Sequence, residues 1–185
     1  QLLKSTQERP EDVLRVLRDN KAAGGAGLPL GHRAAIDDLN SVQSAIFDLS
    51  GMVLWVSESS DASGHFRAID LRHELRKDGG DPAPPADLPA SDQDQGARMA
   101  VRNARELLTR ARRASAAGHD RRGQELAAAA LARAPSLPEA LLVAGRLAQK
   151  NREELEARAF LQRYLEVGAD DLRAKEQVEA WLGEP

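Results

Sequence analysis

The sequence predicts an α+β chain: a short strand-bearing region followed by an all-α region built from a repeating helical unit. Three observations carry this. Between residues 42 and 71, β-branched, aromatic and aliphatic residues come in short runs separated by turn-forming residues. From residue 92 onward the chain is rich in Ala, Leu, Arg and Glu, with apolar positions at helical spacing. Between them lies Asp78-Gly79-Gly80-Asp81-Pro82-Ala83-Pro84-Pro85-Ala86-Asp87-Leu88-Pro89-Ala90, whose four prolines and two glycines continue neither a helix nor an interior strand. The expected organisation is a first region over 1–77, an extended and mobile linker over 78–91, and a helical region over 92–185.

Taken in order, Pro10 to Lys21 reads as a helix. Pro10 suits the first turn, Glu11 and Asp12 sit near the positive end of the helix dipole, and Val13, Leu14, Val16 and Leu17 form one apolar face. Gly24, Gly25 and Gly27 stop it. Residues 28–40 read as loop with a helical turn over Ala34 to Leu39. Val42 to Phe47 and Val53 to Val56 read as strands joined by the turn Asp48-Leu49-Ser50-Gly51, and Gly64 to Leu71 as a third strand. Val42, Ser44 and Ile46 point to one side of the sheet and Gln43, Ala45 and Phe47 to the other, with one side expected to meet the helix that starts at Pro10. Three strands carry too little apolar area to close a core, so they read as part of a larger sheet.

In the helical region, Ser91 with Asp94 three residues on makes a capping-box-like start. Val101, Ala104, Leu108 and Ala111 keep one apolar face to about Ala117, and Gly118 ends the run. Further helices fit Asp120 to Ala134, Pro138 to Lys150, Arg152 to Val167 and Asp171 to Leu182. They repeat at a spacing of 34: Leu107 maps to Leu141, Leu108 to Leu142, Ala111 to Gly145, Ala114 to Ala148, Leu131 to Leu165, Ala134 to Gly168, and Ala140 to Ala174. That period, with Ser136-Leu137-Pro138-Glu139-Ala140 as the turn opening a helix pair, resembles tetratricopeptide (TPR) repeats. It gives two repeats and a final helix carrying Trp181. Two repeats are few for a free-standing solenoid, so they are expected to pack on something else. Small residues at 111 and 145 allow paired helices to approach closely.

Composition limits the chemistry. The 185 residues carry a net charge of -3, 3% aromatic residues and no cysteine. Disulfides, thiolate nucleophiles and Cys-based zinc sites are excluded within this chain. No run approaches the length of a membrane span. A slightly acidic, aromatic-poor chain gives no reason to expect a nucleic-acid partner.

The stretch Ser41-Val42-Gln43-Ser44-Ala45-Ile46-Phe47-Asp48-Leu49-Ser50-Gly51-Met52-Val53-Leu54-Trp55-Val56-Ser57-Glu58, followed by Gly64-His65-Phe66-Arg67-Ala68-Ile69-Asp70-Leu71, resembles the end of the catalytic domain in the isopenicillin N acyltransferase-like family. These are autoprocessed N-terminal-nucleophile (Ntn) hydrolases, distantly similar to bile-salt hydrolases. The resemblance covers about the first 75 residues. It implies that the first region supplies C-terminal strands and a helix of an αββα sandwich. It also implies an amide hydrolase or acyltransferase in which a new N-terminal cysteine attacks a carbonyl, its own α-amine acts as base, and asparagine and backbone donors hold the oxyanion. This chain has no cysteine and is expected to begin just downstream of the family's catalytic side chains. The nucleophile therefore belongs to a companion N-terminal polypeptide of the same precursor, and no catalytic residue is assigned here.

Few side chains suggest a site. Trp55, mid-strand, either lines an acyl pocket or packs in the core. His32, in a loop flanked by glycine and proline, is a candidate for approaching substrate. His73-Glu74 has Lys77 where a zinc protease places its second histidine, and His65 and His119 read as exposed, so no metal is expected. Gly24-Gly25-Ala26-Gly27 with Gly31 fits neither the dinucleotide nor the Walker spacing, so no cofactor is expected. No Gly-x-Ser-x-Gly elbow occurs. From Arg98 to Arg122 there are eight arginines against Glu106 and Asp120. Arg98, Arg102, Arg105 and Arg112 share one side of their helix. They form either a docking surface for an acidic protein partner or a solvated face paired with glutamates of neighbouring helices.

Overall fold

The computed structural model describes residues 9–183 apart from 23, 38, 42, 60, 76–84, 93 and 94. Among the described residues there are seven helices and one three-stranded antiparallel sheet, a mixed α+β and mostly helical architecture. The chain divides into two compact units, one of residues 1–19 and 36–93 and the other of 20–35 and 94–185. This corrects the boundary read from the sequence: residues 20–35 belong with the helices, not with the strands that follow them.

The first unit opens with α1 (Pro10–Leu17), which has Pro10 in its first turn and Leu14 only 4% exposed. It ends at Leu17, four residues short of the expected Lys21. Arg18 leaves the helix and donates from Nε to the Ala62 carbonyl (2.7 Å) and from Nη2 to the carbonyls of Gly64 (3.0 Å) and Pro89 (2.8 Å). A guanidinium that satisfies three carbonyls outcompetes one more helical turn.

The sheet is a meander of β1 (Ala45–Asp48), β2 (Val53–Ser57) and β3 (Phe66–Asp70), in that order. The turn is set by Asp48, whose Oδ1 accepts the amides of Ser50 (2.9 Å) and Gly51 (2.8 Å). Met52 closes it with φ +56. The register places Ile46, Trp55 and Ala68 side by side, and Phe47, Leu54 and Ile69 on the opposite face. The first face forms the core: Leu14, Ile46, Trp55, Ala62, Phe66 and Leu88 are buried together, with Val13, Leu17, Val53 and Ala68 against them.

Leu88 corrects a second expectation. Part of the linker, 78–84, lies outside the described residues, but residues 85–91 are pinned to the sheet. Leu88 and Phe66 exchange backbone hydrogen bonds of 2.9 Å, Trp55 Nε1 donates to the Ala86 carbonyl (2.9 Å), and Ser91 donates to the Ser63 carbonyl (2.7 Å). A short helix, α2 (Leu71–Leu75), follows β3. Between β2 and β3, the buried Asp61 gathers the hydroxyls of Ser57, Ser59 and Ser63 into a polar turn.

The second unit contains α3 (Gln95–Ala116), α4 (Asp120–Arg133), α5 (Pro138–Lys150), α6 (Glu154–Glu166) and α7 (Leu172–Gly183). Asp94, half of the expected capping pair, lies outside the described residues. Helices α4 and α6 begin 34 residues apart, as do α5 and α7. Consecutive helices pack on each other. Gly145 permits the closest approach: a Cβ there would lie 2.5 Å from Leu161. Gly123 serves α3 and α4 in the same way, its absent Cβ lying 3.1 Å from the Ala111 carbonyl. The turns repeat as well. His119 donates to the Ala114 carbonyl and Glu153 to the Ala148 carbonyl, each at 2.9 Å, across left-handed residues Gly118 (φ +83) and Arg152 (φ +62). The last helices close over Leu141, Leu142, Leu161, Tyr164, Ala174 and Val178. Arg158 lies 5.1 Å from the centroid of the Trp181 ring.

Candidate functional site

The segment 20–35 folds on itself and then lies along the helices. The Lys21–Gly27 bridge and the Leu28 amide on the Asn20 carbonyl (3.0 Å) bring the ends of its first part together. The chain then runs through Leu28-Pro29-Leu30-Gly31-His32-Arg33. Gly31, at φ +81, is the point of closest approach. A Cβ there would lie 2.8 Å from Val101 of α3 and 3.5 Å from Leu137 at the mouth of α5. Only glycine meets both the left-handed backbone and the missing space.

Arg105 of α3 donates to the Gly31 carbonyl (2.7 Å) and faces Glu139 of α5 at 3.5 Å. Arg112, two turns further along α3, meets the same carboxylate at 2.8 Å, and Arg33 reaches it from the segment at 3.9 Å. Glu139, with its side chain 12% exposed, thus gathers three guanidiniums. Arg33 also faces Asp170, before α7, at 3.8 Å. Burial pushes the Asp170 carboxyl above the ordinary carboxylate range, with the Arg33 charge opposing it.

His32 is the anchor. Its Nδ1 accepts the Ala34 amide (3.1 Å), so Nε2 carries the proton and donates to the Gly168 carbonyl (2.8 Å). The residue is 3% exposed. This corrects the expectation of a loop histidine that approaches substrate: both ring nitrogens are engaged within the helical unit.

The four arginines share a helix side, as their spacing requires, but of the four only Arg112, its side chain 50% exposed, is an exposed residue. Arg98 is 1% exposed, Arg102 is half-buried, and Arg105 is held by Gly31 and Glu139. Long aliphatic stems let the guanidiniums reach carbonyls and carboxylates while the stems are buried. Trp55 is 6% exposed within the sheet core, and its indole N–H is satisfied by Ala86. The sequence reading missed Arg33, Glu139 and Asp170. The signal for Glu139 was its place in the first turn of α5, beside an arginine face on α3. The other two are brought to it only by the return of 20–35.

A second feature is an open hollow of about 530 Å³ at the start of α4, lined by Gly118, His119, Asp120, Arg121, Arg122, Glu125 and Asn151. Asp120 accepts from Lys150 Nζ (2.8 Å) and the Ser115 hydroxyl (2.6 Å), and these bonds hold its carboxyl below the usual range. Among the described residues no helix is long and apolar enough to cross a membrane, and no group of three or more His, Asp or Glu side chains is placed to hold a metal.

Comparison with known proteins adds no relative: no family model, curated protein or solved structure matches this chain.

Proposed function

We propose that this chain is a non-catalytic part of an autoprocessed amide hydrolase or acyltransferase acting on C–N bonds, with the cysteine nucleophile on a companion polypeptide of the same precursor. The observation that supports this is the sheet. Helix α1 and the core cover one face, while the other presents the row Phe47–Leu54–Ile69, with Phe47 60% exposed. One helix layer on one sheet, with an apolar second face, is half of an αββα sandwich, and a second sheet is what such a face accepts. In this reading the chain supplies no group to the reacting atoms; it completes the sandwich that positions them. Intact-mass and N-terminal analysis of protein expressed from the full-length gene is the test. A co-purifying chain that begins with cysteine is the expected result, and a single species with no such partner overturns it.

A second reading is a TPR-type interaction adaptor without catalysis. It is favoured by helices that start 34 residues apart and by a turn-forming segment seated across α3 and α5. Here the helical unit binds a protein partner, and the strands are an accessory.

A further inference from the structure

We infer that residues 28–35 are a displaceable internal occupant of a peptide groove on the helical unit, and that the groove's external ligand is a basic peptide that makes the same turns with the same Gly-His-Arg chemistry. The inference deepens the adaptor reading and does not depend on the hydrolase reading. The segment meets the helices as a bound peptide would. Its backbone comes down on α3 at Gly31, one of its carbonyls is taken by a side chain (Arg105), and its own side chains reach outward to helix-borne acceptors. Three points define the register: the missing Cβ at Gly31, the His32 bond to the Gly168 carbonyl, and Arg33 between Glu139 and Asp170. Asp170 sets the sign of the ligand at the position of Arg33, since Glu139 is already paired with Arg105 and Arg112.

The same contacts make the segment releasable. Arg33 has a side chain 49% exposed, and its two ion pairs are long, at 3.9 and 3.8 Å, a geometry that contributes little in water. Leu28, Pro29 and Leu30 are only half-buried. The firm contacts are few: the Gly31 carbonyl, the two bonds of His32 and the buried Ala35. A competing peptide sees an affinity reduced by the fraction of molecules in which the segment is closed, and loosening the segment removes that reduction.

The test uses the whole chain and a labelled synthetic peptide of residues 27–36, read by fluorescence anisotropy. The variant His32→Ala/Arg33→Ala loosens the segment and leaves every groove residue in place. It is expected to bind the peptide at least about tenfold more tightly than the unmodified protein. A peptide with Gly31→Val and Arg33→Glu is expected not to bind. Hydrogen exchange of the unmodified protein gives a second, independent reading: the amides of His32 and Ala34 are expected to exchange through a local opening, well before those of α5. If these amides exchange only with global unfolding, the segment is a permanent part of the fold and the displaceable occupant is overturned, while the adaptor reading survives on other surfaces. If they open locally and the folded variant still binds no peptide, the groove itself is overturned, and the adaptor reading with it. If that variant does not fold, Arg33→Ala alone, at a side chain 49% exposed, replaces it in the same peptide titration.

Discussion

Tyr164 is the single tyrosine of the chain, and it is fully buried in the helical core with its hydroxyl on the Asp171 carbonyl (3.3 Å). Burial raises its pKa above the free value of 10.0, and the nearby Asp170 charge adds to the rise. The protonated phenol is therefore favoured by folding. That contribution is complete below pH 10.0 and is lost as pH rises through the folded value. Absorbance titration is expected to show one phenol ionising later than free tyrosine, and Asp170→Asn is expected to move it earlier. Asp170 carries the same sign at lower pH: its stabilising contribution is complete below the ordinary carboxylate value and fades as pH rises through the raised one, so the asparagine variant is expected to be no less stable than the parent at pH 7. Asp120 runs the other way. Held low by Lys150 and Ser115, it stabilises above pH 3.8 and loses that contribution as pH falls through its folded value. Denaturant melts are expected to show the gap between the parent and Asp120→Asn closing below that pH. Arg152 holds a left-handed backbone (φ +62) where its repeat partner is Gly118. Glycine there removes the strain of a side chain at positive φ at some entropic cost. Arg152→Gly is expected to stabilise by up to about 1 kcal/mol, seen as a higher Tm.

At the scale of elements, the helices of the second unit were written plainly in the sequence. Apolar residues at helical spacing, with glycine and proline as stops, gave five helices whose observed ends, Gln95–Ala116 through Leu172–Gly183, lie within a few residues of those expected. Periodicity reports the buried face of a helix, and here that face is continuous. The turn at Gly118 was legible because glycine marks left-handed backbone; its counterpart at Arg152 was hidden because arginine does not. The length of α1 was not legible, because it ends on the bonds of Arg18 to carbonyls as many as 71 residues away. The place of 85–91 was hidden for the same reason: proline-rich sequence reads as linker, while Leu88 pairs with Phe66. Gly145 tests the repeat directly. A larger residue must displace Leu161, so Gly145→Val is expected to destabilise by about 1–3 kcal/mol despite the usual penalty for glycine inside a helix. Equilibrium denaturation of the two proteins measures it.

For the whole molecule, the candidate site was the least legible part. Its arginines on α3 were visible, and pairing with a glutamate of a neighbouring helix was one of the two readings; the burial of Arg98 and the hold of Arg105 on the Gly31 carbonyl were not legible. His32 was visible and its surroundings were not, since its partner Gly168 lies 136 residues on. The sheet unit makes a prediction of its own. Phe47 is exposed and outside the core, so Phe47→Asp is expected to change the melting of the isolated chain by less than about 0.5 kcal/mol. The same change is expected to abolish co-purification with a cysteine-bearing companion; unaltered co-purification would place the contact elsewhere.

The long return from His32 to Gly168 also bears on biosynthesis. Residues 28–35 leave the ribosome 136 residues ahead of the carbonyl that receives His32. At cellular rates of elongation that interval is on the order of 10 s, far longer than a helix needs to form. Until α3 and α5 have followed, the segment has no helices to lie on, and the nascent chain carries it as bare sequence. The helical unit, although its helices are contiguous, is finished by the earliest part of itself. A translation pause placed before α3 would prolong the time in which a chaperone, or another chain, can take that segment first.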